Sequence, residues 1–184
     1  MAADWEFAVL DAFESIRNEF LTYIFKFFTY LGDKGIFWIS LCLLLIIIPK
    51  TRKIGIYAGI ALLIQVLLGE LMLKHIIQRE RPFVIDTSID TIIPIPMGKY
   101  SFPSGHSSSS AAVALSVFLQ NRKLGIPLMI TALMIMVSRL YFCVHFPTDI
   151  IGGLILGAAV AVAVFFMLNF IIKKYNIKIP GQNK

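Results

Sequence analysis

Long apolar blocks, separated by short polar stretches, dominate the pattern of the chain. A helix needs roughly 20 apolar residues to cross the hydrocarbon core of a bilayer, within a range of about 17–25. Four blocks approach that length, at 54–73, 105–120, 125–144 and 150–172. A fifth block, 35–48, is short unless it begins near Tyr30, and Pro49 ends it. The pattern predicts an all-α fold, an integral membrane helical bundle with five firm transmembrane spans.

The first 31 residues have a different, amphipathic pattern. Apolar residues recur there at helical spacing, at Trp5, Val9, Leu10, Phe13 and Ile16, with charged residues between them. This pattern is typical of a helix that lies in the membrane interface. Residues 20–31 are apolar and aromatic but contain a lysine. They either pack beside the bundle or complete a sixth span.

Composition agrees with a single membrane domain over residues 1–184. The chain is 58% hydrophobic and 15% charged, whereas soluble domains are about 45–50% apolar and about 25% charged. Its net charge of +6 does not indicate nucleic acid, because no Lys/Arg face is interleaved with stacking aromatics. Cys42 and Cys143 lie inside apolar runs, and we interpret both as packing residues.

The placement of basic residues predicts the orientation. The stretches 49–53, 121–124 and 173–184 contain nine Lys/Arg and no Asp or Glu. Alternating spans place all three stretches on one side, which the positive-inside rule assigns to the cytoplasm. The 76–103 loop then faces outward, so we expect a multi-pass protein of the cell membrane with an extracytoplasmic site.

Three polar clusters lie at the outer ends of spans, and all three should meet at one surface. Charged groups at membrane depth are costly and usually functional. The clusters contain three cations, Lys74, Arg81 and Arg139. Ser104 is a candidate N-cap, and Gly105 after it allows a ligand to approach the backbone N–H groups of a helix start. Together these groups suit a phosphate, whose oxygens can accept from several donors.

Two histidines, His106 and His145, flank this predicted anion site. A neutral imidazole is a competent nucleophile and an imidazolium is a competent acid. Asp149 follows His145 by four residues, and with Pro147 starting the last helix it falls in the first turn. A carboxylate on one ring nitrogen fixes the tautomer and leaves the other nitrogen to attack. The second histidine can then protonate the leaving oxygen.

The same residues resemble the signature motifs of a known family. KHIIQRERP, PSGH and SRLYFCVHFPTD are similar to the K-x6-R-P, P-S-G-H and S-R-x5-H-x3-D motifs of the type 2 phosphatidic acid phosphatase (PAP2) superfamily. Every signature position is filled in order within residues 74–149. The resemblance implies a phosphohistidine intermediate with no metal and no cofactor. It also implies His145 as nucleophile, Asp149 as its orienting partner and His106 as general acid.

By the same resemblance, the other motif residues bind the phosphate and stabilise the transition state. These residues are Lys74, Arg81, Ser104, Gly105 and Arg139. Two residues near Lys74 occupy positions that no motif specifies. Glu70, one turn before Lys74, either holds that lysine in place or merely pairs with it. His75 has a structural or interfacial role.

The predicted function is therefore hydrolysis of a lipid phosphate or pyrophosphate. The short chain resembles bacterial undecaprenyl pyrophosphate and phosphatidylglycerophosphate phosphatases. Undecaprenyl pyrophosphate is favoured because the site faces outward, where that carrier is released. Phosphatidylglycerophosphate and phosphatidic acid are alternative substrates, and a lipid phosphotransferase is an alternative activity. A non-catalytic lipid-binding or transport protein is the alternative outside this chemistry.

Overall fold

The structure, a computed structural model, describes residues 3–94 and 100–177, and all regular structure in these ranges is helical. The longer helices are α1 (Asp4–Ser15), α2 (Glu19–Leu31), α3 (Ile36–Ile47), α4 (Arg52–Val66), α7 (Gly105–Gln120), α8 (Arg122–Tyr141) and α9 (Pro147–Lys174). A 3-10 turn (Asp33–Gly35) precedes α3, and a π-helical segment (Leu67–Leu73) joins α4 to the short α5 (Lys74–Ile77). The short α6 (Pro82–Ile85) follows α5.

Length and composition identify three or four candidate membrane spans, against the predicted five. Three helical stretches are long and apolar enough to cross a bilayer, at Arg52–Ile85, Arg122–Tyr141 and Pro147–Lys174. A fourth is possible if Glu19–Leu31 and Asp33–Ile47, which are bent by 44° at Gly32, count as one span. The predicted block 105–120 forms a helix with those bounds, but its 16 residues extend only about 24 Å. The five firm spans are therefore not confirmed.

The short helix α7 lies at the centre of the bundle. One face consists of serine, alanine and valine side chains that are almost fully buried. A Cβ added at Gly153 of α9 would lie 2.6 Å from the carbonyl oxygen of Ser104, and one at Gly157 would overlap the carbonyl oxygen of Ser108. The helices pack this closely because their contact surfaces carry small residues. Ser107 and Ser108 thus lie at a close contact between α7 and α9.

The same serines also satisfy buried polar groups of the neighbouring helices. Trp38 Nε1 of α3 donates to Ser110 Oγ at 3.0 Å. Gln65 of α4 donates to Ser108 Oγ at 2.5 Å and accepts from Ser109 Oγ at 2.9 Å. Because buried hydrogen-bonding groups need partners, these contacts fix the position of α7 against α3 and α4.

Residues 4–31 form two helices, α1 and α2. The break is at Asn18, whose side chain accepts from Leu21 N and begins α2. α2 packs along the outer half of α8, where Thr22 Oγ1 lies 2.8 Å from Tyr141 Oη. This agrees with the alternative in which residues 20–31 pack beside the bundle. α1 lies against the α8–α9 loop, with Leu10 buried beside Phe146.

The helices alternate in direction, so the motifs and the basic stretches lie at opposite ends of the molecule. The C-terminal end of α5, the start of α7, the end of α8 and the start of α9 meet at one end. The described basic residues of the three predicted cytoplasmic stretches belong to the other ends of these helices, at Lys50, Arg52, Lys53, Arg122, Lys123, Lys173 and Lys174. Lys178 and Lys184, which complete the nine, lie outside the described residues.

Candidate active site

The α8–α9 loop presents the third motif. α8 ends at Tyr141, and α9 begins with Pro147, which places Asp149 in its first turn as predicted. Asp149 Oδ2 accepts from the backbone N–H of Phe146 at 2.8 Å. The carboxylate therefore caps its own helix start and points back toward His145.

His145 is oriented through its Nδ1 atom. This atom lies 3.3 Å from Ser101 Oγ and 3.5 Å from Asp149 Oδ2. The Ser101 hydroxyl also donates a short hydrogen bond to Asp149 Oδ2. With Nδ1 directed at these two groups, Nε2 is the ring nitrogen available to a ligand. Only 2% of the His145 side chain is exposed.

Burial keeps this imidazole neutral. It lowers the pKa of His145 well below its usual value of 6.5, and the positive charge of Arg81 acts in the same direction. The hydrogen bond with Asp149 opposes these effects but does not outweigh them. His145 therefore carries an unprotonated nitrogen at neutral pH, as a nucleophile requires.

Three residues near Asp149 were not assigned a role in the sequence. Arg79 Nη1 donates to Asp149 Oδ1 at 2.7 Å, and Arg79 Nη2 lies 2.6 Å from Glu6 Oε2. Ser101 joins His145 to Asp149, as described above. None of the three occupies a signature position of the motifs, and neither Glu6 nor Ser101 stands out in the sequence. Their contacts bridge more than 40 residues, so no local pattern indicates them.

The second motif begins α7. Ser104 is fully buried and is the N-cap, as predicted, with its Oγ accepting from Ser107 N at 3.5 Å. His106 Nε2 lies 3.0 Å from Asp33 Oδ1 in the 3-10 turn. Gly32 packs on the same ring, since a Cβ added there would lie 2.6 Å from His106 Cδ2. Asp33 is a further residue that sequence reasoning did not assign to the site.

The three predicted cations differ in their partners. Lys74 Nζ contacts both carboxylate oxygens of Glu70 at 2.8 Å, so Glu70 pairs with Lys74. Arg81 Nη1 donates to the carbonyl oxygen of Val144 at 2.9 Å. Arg139 donates a short hydrogen bond to Thr29 Oγ1, while its buried Nε has no hydrogen-bond partner.

Arg139 is thus a buried cation that keeps an unsatisfied donor. Among residues 3–94 and 100–177, no carboxylate lies within ion-pair distance of its guanidinium. A buried charge of this kind is expensive unless an anion compensates it. The arrangement fits a ligand that brings negative charge to the end of α8.

The K-x6-R-P and P-S-G-H motifs approach each other closely at Gly105. A Cβ at this position would overlap Glu70 Oε1 and would lie 3.8 Å from Lys74 Nζ. A larger residue at position 105 would therefore displace the Glu70 side chain. The Glu70 carboxylate lies beside both Lys74 and the first residue of α7.

One cavity of about 780 Å³ joins these groups. Its polar wall contains six of the predicted site residues, at Lys74, Arg81, Gly105, His106, Arg139 and His145. The other two, Ser104 and Asp149, are fully buried behind this wall. The two histidines therefore share one site, as the proposed chemistry requires.

The cavity continues away from the polar wall as an apolar groove between α3 and α4. Its lining there consists of aliphatic side chains, among them Ile39, Leu43, Ile46, Leu62, Leu63 and Val66. Leu43 and Leu63 are more than half exposed at the rim. We call this feature the α3–α4 groove.

The motifs and their geometry agree with a comparison against protein families. The profile of the PAP2 superfamily matches residues 54–173. The chain belongs to the PAP2 superfamily. The match covers all but the first two residues of α4 and includes the three signature motifs, so the resemblance inferred from the sequence is confirmed.

Individual PAP2 relatives share about a third of the aligned positions. An undecaprenyl-diphosphatase of Sulfolobus acidocaldarius is 38% identical over 125 residues, which are 66% of this chain and 58% of the relative. The undecaprenyl-diphosphatase BcrC of Bacillus subtilis is 30% identical over 151 residues, 82% of this chain and 77% of the relative. The chain therefore spans less than two thirds of the first relative and about three quarters of the second.

A solved PAP2 structure has the same fold. The transmembrane PAP2-type phosphatidylglycerolphosphate phosphatase of Bacillus subtilis superposes with a TM-score of 0.73 at 26% identity. The alignment covers 90% of this chain and 85% of that protein. The aligned share of the chain is larger than the part that the family profile matches.

The described part of this PAP2 chain does not group acidic, cysteine or histidine side chains as metal ligands. Within residues 3–94 and 100–177, no three of them are arranged to hold a metal ion. The polar wall of the cavity includes the cations Lys74, Arg81 and Arg139.

Proposed function

We propose that this protein is a membrane phosphatase that hydrolyses the phosphomonoester or pyrophosphate of a lipid. The observation that carries the proposal is the cavity itself. One continuous space joins three cations and two histidines to the α3–α4 groove. A substrate that fills it needs an anionic head and an apolar tail. Phosphate suits the head because it accepts from several charged donors at once.

The first chemical step is attack by His145. Its Nε2 lone pair forms a bond to phosphorus while the bond between phosphorus and the leaving oxygen breaks. Asp149 and Ser101 hold Nδ1, which fixes the tautomer and stabilises the positive charge that develops on the ring. His106 gives its proton to the leaving oxygen, so the product leaves as a neutral alcohol or a protonated phosphate.

The second step is hydrolysis of the phosphohistidine. Water attacks phosphorus, the bond to His145 Nε2 breaks, and His106 takes up the proton that the water loses. Inorganic phosphate departs and both histidines return to their starting protonation states. The same group thus serves as acid and then as base.

The cations take the role that a metal has in other phosphatases. Lys74, Arg81 and Arg139 place positive charge around the phosphoryl oxygens, where negative charge is concentrated in the transition state. The unsatisfied Arg139 Nε and the N–H groups at Gly105 supply further donors. We therefore propose a metal-independent enzyme.

Five crossings and an outward-facing site complete the proposal. α7 is surrounded by other helices, so it does not have to match the bilayer thickness, and it supplies the crossing between the outer loop and α8. The basic helix ends then lie in the cytoplasm. An extracytoplasmic site suits undecaprenyl pyrophosphate, and two relatives are named as undecaprenyl-diphosphatases.

Phosphatidylglycerophosphate is a second candidate substrate. The structural relative from Bacillus subtilis is named for this lipid, and the α3–α4 groove accepts an acyl chain as readily as a prenyl chain. A phosphotransferase would use the same first step and a lipid hydroxyl in place of water in the second.

The test compares His145→Ala with His75→Ala. His75 is an exposed histidine whose ring lies 6.3 Å from Tyr100, so it is a matched control outside the cavity. Release of inorganic phosphate is measured with undecaprenyl pyrophosphate, phosphatidylglycerophosphate and phosphatidic acid, with and without excess EDTA. We expect His145→Ala to lose turnover by roughly 10⁴-fold or more, with His75→Ala and EDTA having little effect.

Other outcomes distinguish the alternatives. Full turnover in His145→Ala would end the phosphohistidine assignment, and loss of turnover in EDTA would end the metal-free one. Consumption of the lipid without release of inorganic phosphate would indicate a phosphotransferase. Lipid binding with no turnover of any of the three lipids would indicate a binding or transport protein.

A further inference from the structure

Arg79 lies between the orienting carboxylate and the N-terminal helix, at a position that none of the three motifs assigns. Its Nη1 atom donates to Asp149 Oδ1 at 2.7 Å and to Thr148 Oγ1 at 2.5 Å. Its Nη2 atom donates to Glu6 Oε2 at 2.6 Å. The guanidinium also stacks on Phe146, 4.3 Å from the ring centroid. Both terminal nitrogens of Arg79 therefore donate hydrogen bonds to buried or half-buried side chains.

Glu6, the other acidic partner of Arg79, is buried and makes several hydrogen bonds. Only 3% of this residue is exposed, although it belongs to the surface helix α1. Its carboxylate also accepts from Ala3 N at 3.1 Å and from Thr148 Oγ1 at 2.6 Å. Burial raises the pKa of Glu6, but the hydrogen bonds from Thr148, Ala3 N and Arg79 outweigh it and leave the pKa below its usual value. Glu6 is therefore ionised at neutral pH.

We propose that Arg79, held by Glu6, is a positioning residue for the nucleophile. This inference rests on the proposed function, in which His145 attacks phosphorus. Arg79 binds Oδ1 of Asp149, so that Oδ2 stays directed at His145 and Ser101. The planar fork of an arginine can contact two acidic groups at once, which a lysine cannot do with the same geometry. Helix α1 thereby becomes part of the active site.

The charge of Arg79 has a second consequence, which acts on His145 through Asp149. The charged groups around His145 are Asp149 from α9, Arg81 from the segment before α6 and Arg139 from α8. Without Arg79 the charge of Asp149 is less compensated, and the imidazolium form of His145 becomes more stable. The pKa of His145 then rises, and the acidic limb of the pH profile of kcat/KM moves to higher pH.

The experiment compares three variants by phosphate release from undecaprenyl pyrophosphate in detergent micelles, across the pH range. For Arg79→Gln we expect kcat to fall about 10–100-fold, because misplaced catalytic groups cost rates of this order, and the acidic limb to move to higher pH. Arg79→Lys keeps the charge but not the fork, so kcat falls while the limb stays. Glu6→Gln gives a smaller loss of kcat, because Glu6 acts only through Arg79.

The matched control is Arg17→Gln. Arg17 also contacts the α8–α9 region, through the carbonyl oxygen of Tyr141 at 3.2 Å, and it pairs with Glu14. It has no contact with Asp149, so we expect the acidic limb to stay at the wild-type pH. Thermal unfolding in detergent reports whether each variant is folded.

The outcomes separate this inference from the proposed function. A wild-type kcat and an unmoved limb in folded Arg79→Gln would overturn the positioning role, while the loss of turnover in His145→Ala would still support the nucleophile. If Arg79→Gln does not fold, Arg79→Lys and Glu6→Gln decide instead. Wild-type kcat in both of these would overturn the inference.

Discussion

The two histidines of the site are each paired with a carboxylate, but the two pairs have opposite surroundings. His145 and Asp149 have side chains only 2% and 0% exposed. Ser101, Arg79 and a backbone N–H hold Asp149 in addition to the imidazole. His106 and Asp33 have side chains that are 18% and 49% exposed, and Asp33 lies in a short turn at the mouth of the cavity.

This difference corresponds to the two proposed roles. A nucleophile has to keep one nitrogen unprotonated and aimed at phosphorus, and a dry, fully bonded environment provides both. A general acid has to give a proton to the leaving oxygen and take one from the attacking water, so it has to lie where that water can reach it. The buried His145–Asp149 pair therefore suits a nucleophile held in a fixed position, and the more exposed His106–Asp33 pair suits proton transfer.

The largest expected loss of kcat distinguishes the carboxylate of Asp149 from that of Asp33. Asp149→Asn replaces an acceptor by an amide that can hold His145 in the wrong tautomer, so we expect kcat to fall roughly 10³–10⁴-fold. Asp33→Asn removes a single contact in an exposed turn, and we expect a loss of about tenfold or less. Phosphate release under saturating lipid measures both. Equal losses in the two variants would contradict the assignment of roles.

A smaller and more selective effect is expected for His106→Ala. Loss of a general acid costs about 10²–10⁴-fold when the leaving oxygen needs a proton. A substrate with a good leaving group, such as p-nitrophenyl phosphate, does not need that proton. We therefore expect kcat/KM, which reports only the step that forms the phosphohistidine, to fall far more on a lipid monoester than on p-nitrophenyl phosphate. An equal fall of kcat/KM on the two substrates would show that His106 does not protonate the leaving group.

The smallest effect concerns stability and pH. The pKa of folded His145 lies well below the usual 6.5. At a pH between the folded pKa and 6.5, the unfolded chain therefore binds a proton that the folded chain does not. The contribution of His145 to stability is therefore complete above about pH 6.5 and is lost as the pH falls. The expected slope is at most about 1.4 kcal/mol per pH unit.

Thermal unfolding in detergent between about pH 7 and pH 5 measures this slope. The wild type should lose more stability on acidification than His145→Ala, which has no imidazole to protonate. His75→Ala should behave as the wild type, because His75 is exposed in the structure. The same pH dependence in the wild type and His145→Ala would contradict a buried, neutral His145.

The sequence was informative wherever a local pattern has one structural outcome. Pro147 and Asp149 specify a helix start with a capping carboxylate, and Ser104 specifies another, because a helix N-terminus needs acceptors for its free N–H groups. The structure has both starts at these residues. The motif spacing was specific enough to indicate the family and the six predicted site residues that line the cavity.

The sequence was less informative about spans. Hydropathy measures how apolar a block is, and it does not report what surrounds the helix. α7 is apolar because it is buried among other helices, and its 16 residues need not extend across the whole hydrocarbon layer. The block 35–48 likewise follows a bend between α2 and the 3-10 turn that hydropathy alone does not indicate.

Local patterns in the sequence by itself determined the helical class, the helix starts and the motif residues that line the cavity. The partners of those residues were decided only by the tertiary structure, because contacts such as Arg79 with Glu6 and His106 with Asp33 each join segments 73 residues apart. An ion pair depends on the distance between two charges in space, and that distance is fixed only when the helices pack.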